Sequence, residues 1–327
     1  MRILVTGSGG AIGRHLARQL EALGHAVVEL SRSTGIDWHD ADGLARALGP
    51  AVAGCDAVVH CAARVHRRGR EAMNEAAFHA ANVVLTRQLA EAAVAAGVRR
   101  FVHLSTIAVH GLAHADHLIG RSTPVAPRDP YGRSKWLGEQ MLIKAAESAQ
   151  HGMEVVILRP PVVYGADVAG NIARLARALA HRWPLPLGAL TTNRRSLCAI
   201  DGLVEAIVWA LADARAVDDA GLGIWYPCDP LPVSTRRLAV ALARGLGVRA
   251  RLPAWPPRLM MAIARPLAIS RLVEQLAGDL EIDPRPLEQA GFKSRIDSET
   301  ALEAVGAALA RRLGKQGRWE PPASARP

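Results

Sequence analysis

Residues 2–13 read Arg2-Ile3-Leu4-Val5-Thr6-Gly7-Ser8-Gly9-Gly10-Ala11-Ile12-Gly13, and this stretch decides the fold. An apolar run the length of a buried strand enters a glycine-rich turn, and the turn enters the helical period of Ile12, Leu16, Leu20 and Leu23. Strand, tight turn and helix together present a helix N-terminus, whose first N–H groups lack intrahelical partners and carry positive potential, to a phosphate. Gly7 is expected to make the turn, Gly10 to let the backbone approach a pyrophosphate, and Gly13 to let the helix pack on the strand. Ala11 and Ile12 would then offer first-turn N–H groups to a dinucleotide. The spacing G-x-x-G-x-x-G is offset from the general G-x-G-x-x-G fingerprint, so the context of the turn carries the case.

That context is an alternation of strand and helix. Residues 2–5, 26–30, 57–61, 100–104 and 154–158 read as buried strands separated by alanine-rich helical stretches. The expectation is α/β: a doubly wound parallel (Rossmann) sheet with ligands at the carboxyl ends of its strands. After Gly165 the pattern is broken by Pro184, Pro186, Pro253, Pro256 and Pro257, which suits a smaller C-terminal substrate lobe. The division expected is 1–165 for the dinucleotide, with a return segment at about 196–227. Residues 166–195 and 228–314 would form the substrate lobe, and 315–327 a polar tail. A chain of 327 residues can bury both cores, and no internal repeat is visible.

The second informative stretch is Tyr131-Gly132-Arg133-Ser134-Lys135. Tyr131 and Lys135 stand four apart at the head of a helical stretch and so share a face. A free tyrosine titrates near pH ~10 and is a poor base at neutrality. A neighbouring ammonium would stabilise the phenolate and make the pair a proton shuttle. A dinucleotide turn with such a pair points to hydride chemistry.

With those motifs in place, the chain resembles an extended short-chain dehydrogenase/reductase of the NAD-dependent epimerase/dehydratase family. The resemblance runs from Met1 to about Leu313 and rests on the glycine turn, Asp56-Ala57-Val58-Val59-His60-Cys61-Ala62-Ala63, Asn82, Leu104-Ser105-Thr106, residues 131–135 and Arg159-Pro160-Pro161-Val162-Val163-Tyr164-Gly165. Ala62-Ala63-Arg64-Val65-His66, Pro184-Leu185-Pro186-Leu187-Gly188 and Asn193-Arg194-Arg195-Ser196-Leu197 are similar to a bacterial subgroup acting on UDP-linked sugars for surface polysaccharides.

The resemblance implies roles. Thr106 would hold a reacting sugar hydroxyl beside Tyr131, with Ser105 the substitute if the register shifts by one. Ala62, Ala63, Asn82 and Lys135 would border the cofactor, Lys135 at the nicotinamide ribose. Asn171 and Arg195 would meet the substrate diphosphate, for which guanidinium geometry is suited, while Arg194 points the other way. Ser31 stands where NAD-binding relatives carry Asp; Arg32 beside it would accommodate a 2′-phosphate and tilts the choice of NAD or NADP towards NADP. Asp37 is a candidate for the adenine amine.

Family dehydratases follow the active-site Thr with Asp-Glu, where Ile107 and Ala108 stand here. Those side chains cannot exchange protons, so the resemblance implies no dehydration, and Ile107 likewise takes the place of the Cys used in epimerisation at C3 and C5. What remains is redox at C4: a UDP-hexose 4-epimerase working through a 4-keto intermediate, or a UDP-4-ketosugar reductase. A cofactor-sensing regulator that lost the chemistry is the non-enzymatic alternative.

Charge and composition add limits. The net charge of +10 reads as a solvated basic surface that helps attract anionic substrates, since the arginines recur along the chain without an aromatic stacking platform; nucleic acid is not expected as a partner. Arg67-Arg68-Gly69-Arg70, the densest cluster, is expected near the cofactor edge. Cys55, Cys61, Cys198 and Cys228 have no metal-ligand spacing and read as packing thiols of a cytoplasmic protein, with no metal. The first strand is expected directly at the start of the chain, so a signal peptide is not expected, nor is a bilayer-spanning run; residues 259–276 read as an amphipathic core helix. Helices at 74–97 and 131–150 are candidates for a homodimer bundle.

Overall fold

Strand β1 (Arg2–Thr6) has Ile3, Leu4 and Val5 fully buried, as expected of a strand with neighbours on both edges and helices on both faces. A computed structural model describing residues 1–31, 41–65, 72–149, 152–265 and 270–316 shows that arrangement. β1 pairs in parallel with β2 (Ala26–Leu30) and with β3 (Ala57–His60). β4 (Arg100–Leu104), β5 (Glu154–Leu158) and β8 (Leu222–Trp225) continue outward from β3, giving the order β2-β1-β3-β4-β5-β8. The five expected strands form within a residue of their expected ends. The sixth, Leu222-Gly223-Ile224-Trp225, is too short and too glycine-bounded to announce itself; it comes from the return segment and closes the sheet edge beside β5.

Alternation along each strand sorts side chains to two faces. Ile3, Val5, Val59 and Val102 pack under α1 (Ala11–Ala22) and α7 (Ile200–Ala212). Leu4, Val58, Phe101 and Ile157 pack under α2 (Ala41–Val52), α4 (Leu85–Ala95) and α5 (Pro130–Glu147). A short α3 (Glu75–His79) and a π-helical turn (Ala80–Val84) lead into α4.

A second core is built from later residues. A two-stranded parallel piece, β6 (Val162–Tyr164) with β7 (Leu197–Ala199), supports α6 (Asn171–Ala180), α8 (Thr235–Gly245) and α12 (Ser298–Gln316) around Tyr164, Leu179, Leu187, Leu242 and Leu302. Buried Asp229 stitches this core together. It accepts from Tyr164 Oη at 2.7 Å, Ser298 Oγ at 2.8 Å and the Ala199 N–H at 2.8 Å.

The stretch 259–276 is not one helix. It falls into α9 (Pro257–Ala264) and α10 (Ser270–Ala277), because a proline in a helix interior removes a backbone donor and clashes with the preceding turn. Nor is it all core: Met260 is buried, yet Leu259 and Ile263 lie exposed. The helix expected to reach residue 150 ends at Glu147. Beyond Gln316, the expected tail lies outside the described residues.

Candidate active site

The glycine turn lies at the carboxyl end of β1, where neighbouring strands run off to either side. Gly7 has φ +74°, a conformation L side chains rarely adopt, and a Cβ there would stand 2.6 Å from the Ala62 nitrogen. A Cβ on Gly13 would collide with the Gly7 carbonyl oxygen, so α1 packs against the turn only because residue 13 is glycine. Gly10 caps α1 and, having no side chain, leaves the first-turn N–H groups at Ala11, Ile12 and Gly13 without a capping side chain from its own position. This bare cradle fits a dinucleotide pyrophosphate.

Beneath the turn runs a hydrogen-bonded chain that sequence reasoning missed. Thr86 donates its hydroxyl proton to the Asn82 carbonyl at 2.8 Å and so accepts from His60 Nε2 at 3.0 Å. His60 Nδ1 therefore accepts from Thr6 Oγ1 at 2.6 Å, which in turn accepts from the Ala62 N–H at 3.4 Å. A single neutral tautomer satisfies the whole chain. Burial, aided by Lys135, depresses the His60 pKa to about 3 and keeps the ring neutral. Asn82 completes the bracket: its amide accepts from Arg64 N–H at 2.8 Å and donates to Arg64 O at 3.0 Å and to Ser134 Oγ at 2.9 Å. Ala62 and Ala63 are thereby held between β3 and a clamped Arg64. The signal was a histidine ending an otherwise apolar strand, opposite a second histidine, His103, in the β3/β4 register.

Thr106 follows β4 and caps a 3-10 turn (Ile107–His110), its Oγ1 accepting from Ala108 N–H at 3.2 Å. Asp129 caps α5 by accepting from Gly132 N–H at 2.8 Å, with Pro130 at the first helical position. A Cβ on Gly132 would stand 2.6 Å from the Ala108 carbonyl oxygen, so its absence lets the head of α5 seat against the 3-10 turn. Tyr131 thereby reaches Thr106 and shares a side-chain hydrogen bond with it. Ser105, the substitute, faces the other way, its Oγ donating to Glu139.

The tyrosine and lysine do not behave as their spacing predicts. Burial pushes the Tyr131 phenol up to about 12, the Thr106 bond opposes this, and Lys135 is not among the groups that lower it. The reason is direction: Lys135 is 1% exposed and its Nζ lies 3.2 Å from His103 Nε2, beneath the strand ends. Burial lowers the Lys135 pKa to about 8, opposed by Glu139 and Cys61. His103, whose pKa burial also depresses, has a buried Nδ1 with no hydrogen-bond partner among the described residues.

One turn beyond Lys135, Glu139 is fully buried and accepts from Arg159 Nε at 3.1 Å and Nη2 at 2.5 Å as well as from Ser105. Arg159 Nη1 donates to Tyr226 Oη at 2.8 Å, and His110 Nε2 lies 3.2 Å from the same oxygen. Tyr131, Lys135 and Glu139 are spaced i, i+4, i+8 on one helix face, and the sequence signal for the pair is that spacing together with Arg159 at the head of Arg159-Pro160-Pro161.

The remaining residues are more scattered. Asn171 begins α6 in the second lobe and its Oδ1 pairs with Arg174. Arg195 lies just before β7, bridged to Val233 and Leu280, donating Nη1 to the Gly278 carbonyl at 2.9 Å, and burial lowers its pKa to about 10. Arg194 turns outward to Glu281 at 2.6 Å. Ser31 is buried just after β2. Arg32, Asp37 and the cluster at 67–70 lie outside the described residues.

Residues 3–222 match the NAD dependent epimerase/dehydratase family. The chain is 33% identical over 299 residues to a UDP-glucose 4-epimerase of Vibrio cholerae, covering 86% of this chain and 87% of that protein. It is 27% identical over 341 residues to the 4-hydroxy-2-methyl-3-oxo-4-farnesyl-3,4-dihydroquinoline-1-oxide ketoreductase of Stigmatella aurantiaca, covering 93% and 96%. The solved structure of MoeE5 in complex with UDP-glucose and NAD superposes with a TM-score of 0.75 at 24% identity, over 96% of this chain and all of that one, which shows a shared fold.

Proposed function

Since the chain belongs to the NAD dependent epimerase/dehydratase family and is an NAD-dependent enzyme of it, we propose that it is a nucleotide-sugar 4-epimerase acting on a UDP-hexose. The observation that carries this reading is the side-chain hydrogen bond between Tyr131 and Thr106, a phenol and the hydroxyl that would orient a substrate alcohol towards it, in a chain whose glycine turn fits a dinucleotide. Gly7 to Gly13, Ala62 and Ala63 would hold the nicotinamide cofactor, which would supply hydride acceptance and return.

Thr106 holds the sugar O4 hydroxyl, and Tyr131 removes its proton and later restores it. Burial raises the Tyr131 pKa to about 12, and the Thr106 hydrogen bond opposes this, so positive charge brought close by a bound oxidised cofactor would favour its phenolate. Lys135, its Nζ beside His103, is in this proposal the ammonium at the nicotinamide ribose. Asn82 positions the 62–64 loop, and Asn171 and Arg195 receive the diphosphate. In the same proposal residues 1–165 with 196–227 serve the cofactor and 166–195 with 228–314 the sugar nucleotide. A homodimer through α4 and α5, and a cytoplasmic location, belong to it as well.

A second reading is reduction of a ketone by reduced cofactor, favoured by the likeness to the Stigmatella ketoreductase along almost the whole chain and by Ser31 in place of a ribose-binding acid. NADP rather than NAD would go with that reading. Incubation with UDP-glucose should interconvert the C4 epimers with no net change in nicotinamide absorbance. Stoichiometric oxidation of NADPH by a ketone substrate, without interconversion of saturated sugars, would establish the reductase.

A further inference from the structure

The basic charge is concentrated, not spread along the chain. Residues 168–200 and 230–273 hold thirteen arginines, no lysine and no carboxylate, which leaves a net charge of −3 for the remaining chain against +10 for the whole. Both stretches belong to the second lobe. Arg174, Arg194, Arg195 and Arg237 are engaged with Asn171, Glu281, the Gly278 carbonyl and Glu299. Arg182, Arg249, Arg251, Arg258 and Arg265 are exposed.

The same segments expose large apolar side chains. Trp183 is 58% exposed, Trp255 41%, Leu259 47% and Ile263 41%. The two segments are neighbours, since Leu185 N–H donates to the Arg251 carbonyl at 2.9 Å and Gly188 N–H to the Pro253 carbonyl at 3.1 Å. Trp255 leads directly into α9, which turns Met260 to the core and Leu259 and Ile263, one turn apart, to solvent. Next to this ribbon, a pocket of about 320 Å³ is lined by Arg236, Arg244 and Arg249 with Val240, Val248 and Leu252.

We propose that this face of the second lobe docks on an anionic lipid bilayer, with Trp183, Trp255, Leu259 and Ile263 entering the headgroup region and the surrounding arginines meeting lipid phosphates. Tryptophan and aliphatic side chains set among basic residues are the composition of a membrane-surface site. Nucleic acid would match the arginines but leave Leu259 and Ile263 without a partner, and a second copy would bring like charge against like. No helix among the described residues is long and apolar enough to cross a membrane, so the contact is peripheral. The inference goes beyond the proposed reaction and does not depend on it.

The full chain should co-sediment at low salt with phosphatidylcholine vesicles containing phosphatidylglycerol, stay in solution with phosphatidylcholine alone, and be released by added salt. Removing two basic side chains in Arg249→Ala/Arg258→Ala should weaken binding roughly thirty-fold. Leu259→Ser/Ile263→Ser should reduce it at least several-fold. Arg18→Ala/Arg99→Ala, which removes the same charge elsewhere, should bind like the parent. Absence of binding to phosphatidylglycerol vesicles, or an equal loss in the Arg18/Arg99 pair, would overturn the proposal. So would full vesicle binding by the Leu259/Ile263 variant together with equally tight binding to a short DNA duplex, since that marks a general polyanion surface.

Discussion

Replacing Glu139 by alanine removes the acceptor of a buried network and leaves a guanidinium behind. Glu139 is wholly buried, and Arg159, 5% exposed, directs Nε and Nη2 at its carboxylate. Charge-assisted hydrogen bonds are worth ~1.5–3 kcal/mol each, and stranding one partner of a buried ion pair costs ~3–5 kcal/mol. Tyr226 still accepts from Arg159 Nη1, which holds the expectation to about 4 kcal/mol, within the range for a broken buried pair. Replacing both partners, as Glu139→Leu/Arg159→Met, removes the stranded charge and should recover most of the loss. Urea denaturation at neutral pH reads both values. Glu139 is also the leading group that raises the Lys135 pKa against burial, so Glu139→Ala should drive that ammonium below its present value of about 8 and weaken cofactor binding more at mildly alkaline than at acid pH. A single-variant loss under about 1 kcal/mol, or a double variant no better than the single, would refute the reasoning.

Other outcomes follow from the same geometry. Tyr131→Phe should fold normally and lose turnover by several orders of magnitude; near-parental rates in the UDP-hexose assay would remove the hydroxyl from the proton transfer. His60 is neutral when folded, with a pKa of about 3 against an ordinary 6.5, so the unfolded chain binds the extra proton below pH 6.5. Its contribution is intact above that pH and is lost as the pH falls towards 3, by ~1.4 kcal/mol per unit. His60→Gln should flatten this acid slope in denaturation series from pH 7 to 5, and parallel slopes would count against a buried neutral ring. Gly7→Ala combines positive φ with a clash against Ala62 backbone and should sharply weaken NAD binding, measurable by calorimetry.

Much of the first half was legible because its signals are local. Ile3 to Val5, the glycine turn and Asp129-Pro130 each specify their own backbone, and the strands follow from short apolar runs. The direction of Lys135 was not legible: helical spacing puts it on the face of Tyr131, but whether it turns to the phenol or to His103 depends on strands β3 and β4 arriving beneath it. Thr6, His60 and Thr86 are distant in sequence and become a chain only through the β1/β3 pairing and the packing of α4. The charge asymmetry lay open in the sequence, yet it has meaning only once residues 168–200 and 230–273 are known to share a lobe.

The order of strands also sets a timetable for synthesis. β5 is complete at Leu158, but its outer edge waits for β8, which begins at Leu222 after the chain has left the sheet and returned. Until then a nascent chain presents Val155-Val156-Ile157-Leu158, apolar and unpaired along one edge, the kind of template that recruits another strand. Asp229 imposes a later deadline, since its bond from Ser298 arrives only with the start of α12. A product truncated anywhere between these points is an aggregation hazard, and cutting the gene at the apparent boundary near residue 165 would isolate the half that cannot protect its own edge.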